Sequence, residues 1–205
     1  MKYAIFDVET TGLGNRDEVI QFACVIADEE FKAQTLYNEY FYTQHDISPG
    51  AAAVHHLSSE LLLELSKGQT LEDFVVATPE LFKDPGVTWV EWSTSGFDRR
   101  MVNQTLVNNG VPPVDFGTKV TALRNESGIH HYSLLHGVCN LRYGGRPRKL
   151  VQAAKDLPWS ENQIESMYSK YVKPASDLGI RFHTADYDAF ITWLLMYNCG
   201  VRLRL

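Results

Sequence analysis

The segment Lys2–Val8 constrains the fold more than any other part of the chain. Tyr3, Ala4, Ile5 and Phe6 form a short apolar run, broken by the turn residues of Thr10-Thr11-Gly12-Leu13-Gly14-Asn15, so it reads as a buried strand. A buried strand needs paired neighbours and a covering layer. Glu18–Ala27 and Gln34–Thr43 are rich in Val, Ile, Phe and Tyr, and Asp28–Lys32 between them fits a hairpin loop. Three antiparallel strands are therefore predicted at the start of the chain.

Helical patterns follow. Ser58–Lys67 places Leu61, Leu62 and Leu65 on one stripe with Gly68 after it. Thr70-Leu71-Glu72-Asp73 has capping-box-like spacing for a second helix, which Pro79 must kink or end. Val87–Trp92 reads as another buried strand. After the break at Ser93–Gly96, the residues Phe97, Met101 and Thr105, with Val102 and Leu106, make a helical face that stops at Gly110. Ser133–Leu141 is a short helix candidate, and Ser160–Gln163 is a capping box for a helix to about Val172. Ala185–Asn198 is apolar almost all round, which predicts a buried helix closed by Gly200. Strands first, then helices alternating with single strands, predict an α/β fold with a mixed sheet. The stretch Tyr143–Leu178, with Pro158 and Pro174, is the least regular and reads as an excursion on a single domain covering residues 1–205. The tail Val201–Leu205 alternates like an edge strand or a docking segment.

Composition narrows the class. A chain of 205 residues with 44% apolar content fits one globular domain and excludes a disordered one. Its 19 basic and 25 acidic residues, a formal net charge of −6, leave no global basic footprint for a nucleic acid. Carboxylates that hold divalent cations would reverse that charge locally. Cys24, Cys139 and Cys199 form no CxxC pair, so neither a disulfide framework nor a zinc knuckle is indicated, and a reducing cytoplasm is the simple expectation. The nine uncharged residues of Ala189–Tyr197 fall short of the ~20 that span a bilayer, and Asp7 and Glu9 stand where a signal peptide needs its apolar core. No membrane association is expected.

The strand end carries chemistry. Residues i and i+2 of a strand share a face, so Asp7 and Glu9 project together with Val8 on the other side. Two partly desolvated carboxylates repel, and a hard divalent cation such as Mg²⁺, held by carboxylates plus substrate phosphate, resolves the repulsion. A solvated acidic strand end is the bland alternative. A second signal is Ser95-Gly96-Phe97-Asp98, where Asp98 opens a helix and would also offset its exposed N–H groups. The third is His183-Thr184-Ala185-Asp186-Tyr187-Asp188. Five residues turn a helix by about 140°, so His183 belongs to the lead-in loop and Asp188 to the first turn. An Asp in so apolar a helix is costly without a partner, which favours a metal ligand, with Asp186 as the competing choice.

F-D-x-E-T-T-G-L at 6–13, F-D at 97–98 and H-x-A-x-x-D at 183–188 occur in this order. Together they resemble the DEDDh 3′–5′ exonucleases, the family that includes the proofreading subunit of bacterial DNA polymerase III, RNase T and oligoribonuclease. The tyrosine branch of that family would want Y-x-x-x-D near the end, and the match at Tyr42–Asp46 lies ahead of the second motif. The resemblance implies a ribonuclease-H-like fold with a mixed sheet flanked by helices. It implies that Asp7, Glu9, Asp98 and Asp188 bind two divalent cations, Mg²⁺ or Mn²⁺, and that His183 is the general base or an orienting group. An imidazole titrates near neutral pH, which suits a base. It further implies that Thr10, Thr11, Gly12 and Leu13 line the 3′-terminal nucleotide, that Phe97 packs on it, and that His55 approaches it.

There are departures from the family pattern. Ser93-Thr94 stands where the family commonly has His-Asn, and His56 where it often has Gly. Arg142, Arg146, Arg148, Lys149 and Lys155 make a basic stretch that could track a single strand, or be a solvated loop. The implied activity is metal-dependent removal of nucleotides from single-stranded DNA or RNA 3′ ends, with DNA favoured and nucleoside 5′-monophosphates released. An exoribonuclease or oligoribonuclease of the same chemistry is the alternative, as is a non-catalytic nucleic-acid-binding accessory module. A polymerase or repair complex is the kind of partner the resemblance implies, and no oligomeric state follows from it.

Overall fold

The computed structural model describes residues 2–81, 87–92, 96–114, 149–171 and 182–203. At its centre is β1 (Lys2–Thr10). It pairs antiparallel with β2 (Val19–Ala27), which pairs antiparallel with β3 (Ala33–Tyr40). On its other side it pairs parallel with β4 (Val87–Val90), giving the sheet order β3-β2-β1-β4. The three antiparallel strands predicted from the pattern are all present. One parallel neighbour beside them makes the sheet mixed, and the flanking helices complete the ribonuclease-H-like arrangement.

Side-chain alternation on β1 sorts the core into two layers. Tyr3 and Ile5 point into a cluster with α7 (Ala185–Leu203), whose Ala189, Phe190, Ile191, Leu194 and Leu195 are buried. Ala4, Phe6 and Val8 point into the opposite cluster, with α4 (Phe97–Asn108) contributing Met101, Val102 and Leu106. Asp7 and Glu9 continue the Tyr3–Ile5 parity and so lie on the face covered by α7. A bulge follows directly. Glu9 pairs with Gln21 but Thr10 with Val19, so Ile20 is an extra residue on β2. Such an insertion ends regular pairing and bends the strands where β1 leaves the sheet.

Between β3 and β4 lie α1 (Pro49–His55), α2 (Ser59–Ser66) and α3 (Leu71–Leu81). The helix α2 begins where Ser58 caps it and buries Leu62 and Leu65. Pro79 falls in the last turn of α3. The helix α1 was not anticipated, although its signals are plain: Ser48 caps it by accepting from Ala51 N–H, and Pro49 and three alanines follow.

Of the least regular stretch, residues 149–171 are described. They form α5 (Leu150–Ala154) and α6 (Glu161–Tyr168), whose Leu150, Ala153, Ile164 and Tyr168 enter the α7 cluster. This part is thus built into the domain. The predicted capping box at Ser160–Gln163 is present, but α6 ends at Tyr168, short of Val172. Just beyond that end, the Ser169 hydroxyl donates back to the Glu165 carbonyl, a contact that competes with the helical ladder. The helix α7 passes through Gly200 to Leu203, so Val201–Leu203 is helical and not an edge strand. The helix candidate Ser133–Leu141 lies outside the described residues, as do Arg142, Arg146 and Arg148. Among the described residues no helix is long and apolar enough to cross a membrane.

Candidate active site

A cavity of about 660 Å³ opens where the C-terminal ends of the parallel strands β1 and β4 meet the first turns of α4 and α7. Strand ends at such a junction are where open α/β sheets commonly place ligands. Asp7 and Glu9 from β1, Asp98 from α4, and His183 and Asp188 from the start of α7 all line it. Three motifs up to 181 positions apart in sequence thus share one cleft.

Asp98 and Asp188 are held by local structure. Asp98 is the second residue of α4 and is buried, and its Oδ1 accepts from the Val8 backbone N–H at 3.3 Å, linking α4 to β1. Asp188 lies one turn inside α7, where its backbone N–H donates to the Thr184 carbonyl at 3.0 Å. Its Oδ1 accepts from the His183 N–H at 3.3 Å. That bond closes the lead-in loop, in which His183 has a φ of 67°, a conformation uncommon for a residue with a Cβ. The His183 side chain is exposed at the cavity rim.

The competing residue, Asp186, has other partners. Gln21 Nε2 donates to Asp186 Oδ1 at 3.1 Å, and the Tyr168 hydroxyl donates to its other oxygen. Gln21 Oε1 in turn accepts from Ala185 N–H, the first amide of α7, at 3.1 Å. Asp186 is therefore a strut between β2, α6 and α7. Gln21 and Tyr168 were not singled out by sequence, since bonds across 18 to 165 positions leave no local pattern.

Electrostatics mark the cluster as unfinished. Burial raises the Asp7 carboxyl well above the ordinary range, and Asp98, Asp188, Glu9 and Glu91 push it further. Glu9 is raised by burial, then by Asp188 and Asp98. Asp98 is raised by burial and by Glu91, against the Val8 N–H. Burial lifts Asp188 to about 7, although the His183 N–H opposes it. Among the described residues no Lys or Arg forms an ion pair with any of the four. Neither do three His, Cys, Asp or Glu side chains there converge into a ready-made metal cage. A donor set of this kind fits a hard cation that keeps waters and completes its shell with phosphate oxygens, as Mg²⁺ usually does.

The remaining residues divide. Thr10, Leu13, His55 and Phe97 line the cavity. Leu13 is 75% exposed at its mouth, and Phe97 carries the Arg100 guanidinium 5.3 Å from its ring centre. His55 is buried, with both ring nitrogens engaged. Nδ1 accepts from Leu57 N–H at 3.0 Å, so Nε2 carries the proton and donates to the Thr10 carbonyl at 3.1 Å. Burial lowers its pKa, against the bond to the Thr10 carbonyl. His55 thus ties Thr10 to the α1–α2 turn.

Thr11 and Gly12 do not line the cavity. They shape the loop that does. Thr11 Oγ1 donates to Asp17 Oδ1 at 2.8 Å, Gly14 N–H donates to Asp17 Oδ2 at 2.5 Å, and Gln104 on α4 donates to the Gly14 and Asp17 carbonyls. A Cβ on Gly12 would stand 2.7 Å from Asp17 Oδ2. Gly12→Ala is therefore expected to displace Asp17 and lower the melting temperature by a few degrees, corresponding to ~1–2 kcal/mol. Thermal melts check it.

The exonuclease family profile of the RNase T type matches residues 4–196. No curated protein sequence gives a significant match. Among solved structures, exonuclease X in complex with 5′-overhanging duplex DNA superposes with a TM-score of 0.60 at 18% identity, covering 99% of this chain and 93% of that one. The zinc-bound form of the E. coli exonuclease I–single-stranded DNA complex gives 0.63 at 17% identity, covering 99% of this chain but 40% of that one. E. coli exonuclease I with a dT13 oligonucleotide gives 0.64 at 16% identity, with 99% and 42% covered. The chain thus spans about two-fifths of exonuclease I. At these identities the superpositions speak for the fold, and the family match extends over nearly the whole chain. The chain belongs to the RNase T type exonuclease family.

Proposed function

We propose that this chain is a metal-dependent 3′–5′ exonuclease that removes nucleotides one at a time from a single-stranded end, DNA favoured, releasing nucleoside 5′-monophosphates. One observation carries the reading: Asp7, Glu9, Asp98, Asp188 and His183 line a single cavity, with no Lys or Arg among the described residues neutralising the four acids. Those acids would hold two divalent cations, Mg²⁺ or Mn²⁺, which when bound activate water and offset charge on the scissile phosphate. His183, exposed at the rim, would take a proton from the attacking water or orient it.

Leu13 and Phe97 present apolar surface for a terminal base, and an unpaired base enters such a pocket without an unpairing cost. The preference for DNA draws support from the DNA-bound neighbours named above. Lys149, one of the two described residues of the basic stretch, is exposed and lines the same cavity, where it would meet a substrate phosphate. Lys149→Ala is expected to raise KM on the order of three- to tenfold and to reduce the salt slope of binding by about one. Binding measured across a salt series checks it.

Incubating 5′-labelled single-stranded DNA and its RNA counterpart with Mg²⁺ or Mn²⁺ tests the polarity and the substrate. A ladder shortening from the 3′ end, faster on DNA and lost in EDTA, is the expected result. Internal cuts, or a label released at once as a mononucleotide, would contradict it.

A further inference from the structure

Glu91 follows directly on β4, whose four residues are buried, and is itself only 4% exposed. A carboxylate there is costly without partners, and it has them. Its Oε2 accepts from the Arg99 backbone N–H at 3.2 Å, and its Oε1 is ion-paired with Arg99 Nε. Arg99 is the third residue of α4, and Asp98 is the second. Gly96, which precedes the helix, provides no side-chain cap. Glu91 therefore performs from the strand the task an N-cap side chain performs locally, satisfying an orphan amide of the first turn.

Two further features serve the same contact. Gly96 has a φ of 69°, and a Cβ there would stand 2.8 Å from the Arg99 guanidinium, so a bare backbone lets that group pass over it. On the other side, Val8 N–H holds Asp98 Oδ1 from β1. Asp98 is thus gripped between β1 and a β4–α4 clamp. Buried ion pairs rarely add stability over apolar residues of similar volume, so the clamp is better explained by the placement it enforces.

We propose that Glu91 is a positioning residue: through Arg99 it fixes the first turn of α4 and so sets where Asp98 stands in the carboxylate centre. This rests on the function proposed above. Residues that orient metal-binding groups typically affect metal affinity or activity by about ten- to a hundredfold when replaced.

The test titrates Mn²⁺ against the full chain and its Glu91→Gln variant, reading both the rise in melting temperature and turnover of a DNA oligonucleotide. Glutamine keeps an acceptor for the Arg99 N–H but loses the ion pair and also ends the direct repulsion between Glu91 and Asp98, so Arg99→Lys, which leaves Glu91 charged, is measured beside it. The expected result is a Mn²⁺ midpoint raised on the order of tenfold, a lower kcat that recovers at high Mn²⁺, and an unchanged KM. A lower melting temperature with a wild-type Mn²⁺ midpoint and kcat would overturn the proposal, leaving Glu91 a structural group only. Should Glu91→Gln not fold, Arg99→Lys decides, since it keeps the cation but loses the Nε contact, and the same shift in midpoint is required of it. A wild-type chain whose melting temperature and turnover ignore Mn²⁺ would instead overturn the metal-dependent function itself.

Discussion

Asp7→Asn is expected to lower turnover on the order of 10³-fold or more, and at the same time to raise the melting temperature of the metal-free protein. The two effects have one cause. Asp7 lies deep in the cleft, with Asp98, Asp188, Glu9 and Glu91 all near enough to oppose its ionisation. Replacing it by an uncharged isostere removes one member of a set that repels itself. Relief of ~1–3 kcal/mol, comparable to the cost of leaving a polar group buried and unsatisfied, corresponds to roughly 2–4 °C per kcal/mol for a domain of this size. A group kept for stability would behave in the opposite way. Parallel melts and single-turnover rates on the variant measure both quantities, and loss of activity together with a lower melting temperature would show a folding defect instead.

The second large effect is on pH. The ordinary value for an Asp carboxyl is near 3.8, whereas burial places Asp188 at about 7 in the folded chain. Between those values the unfolded chain has released this proton and the folded chain still holds it. Stability from Asp188 is thus fully present below about pH 4 and is lost as pH rises towards about 7. Complete loss amounts to ~4 kcal/mol, or on the order of 10 °C. Asp7, Glu9 and Asp98 are raised as well and act in the same direction. His55 acts against them, since its lowered pKa makes it cost stability as pH falls through the ordinary imidazole range. Subtracting the profile of Asp188→Asn from that of wild type isolates the Asp188 contribution. The difference should widen from pH 4 to pH 7 in metal-free buffer and shrink when Mn²⁺ is present, because cations bind the deprotonated carboxylates. A difference independent of pH would show that Asp188 is solvated.

Much of this molecule is legible where the pattern is local. The alternation of β1 predicts both its burial and the shared face of Asp7 and Glu9, and the apolar face of α4 ends where Gly110 predicts. His183 stands in the lead-in loop and Asp188 one turn into the helix, as the angular step between them requires. What sequence leaves open is decided by distant partners. The pattern favours Asp188 over Asp186 as the ligand, but what Asp186 does instead is set by Gln21 and Tyr168, which occupy it. Glu91 falls inside the buried strand predicted over Val87–Trp92, and nothing local marks its pairing with Arg99. The edge-strand alternative for the tail has a simpler origin. Alternation over five residues does not separate a strand from the last turn of a helix, and α7 runs on to Leu203.

The most direct test of the carboxylate centre uses a single-stranded oligonucleotide labelled at its 3′-terminal nucleotide and chromatography of the first product. Wild type with Mn²⁺ should release the label as a nucleoside 5′-monophosphate in the first turnover, and neither the EDTA control nor Asp188→Asn should release it. Label retained in shorter oligonucleotides, or released equally by Asp188→Asn, would contradict the assignment of chemistry to this site.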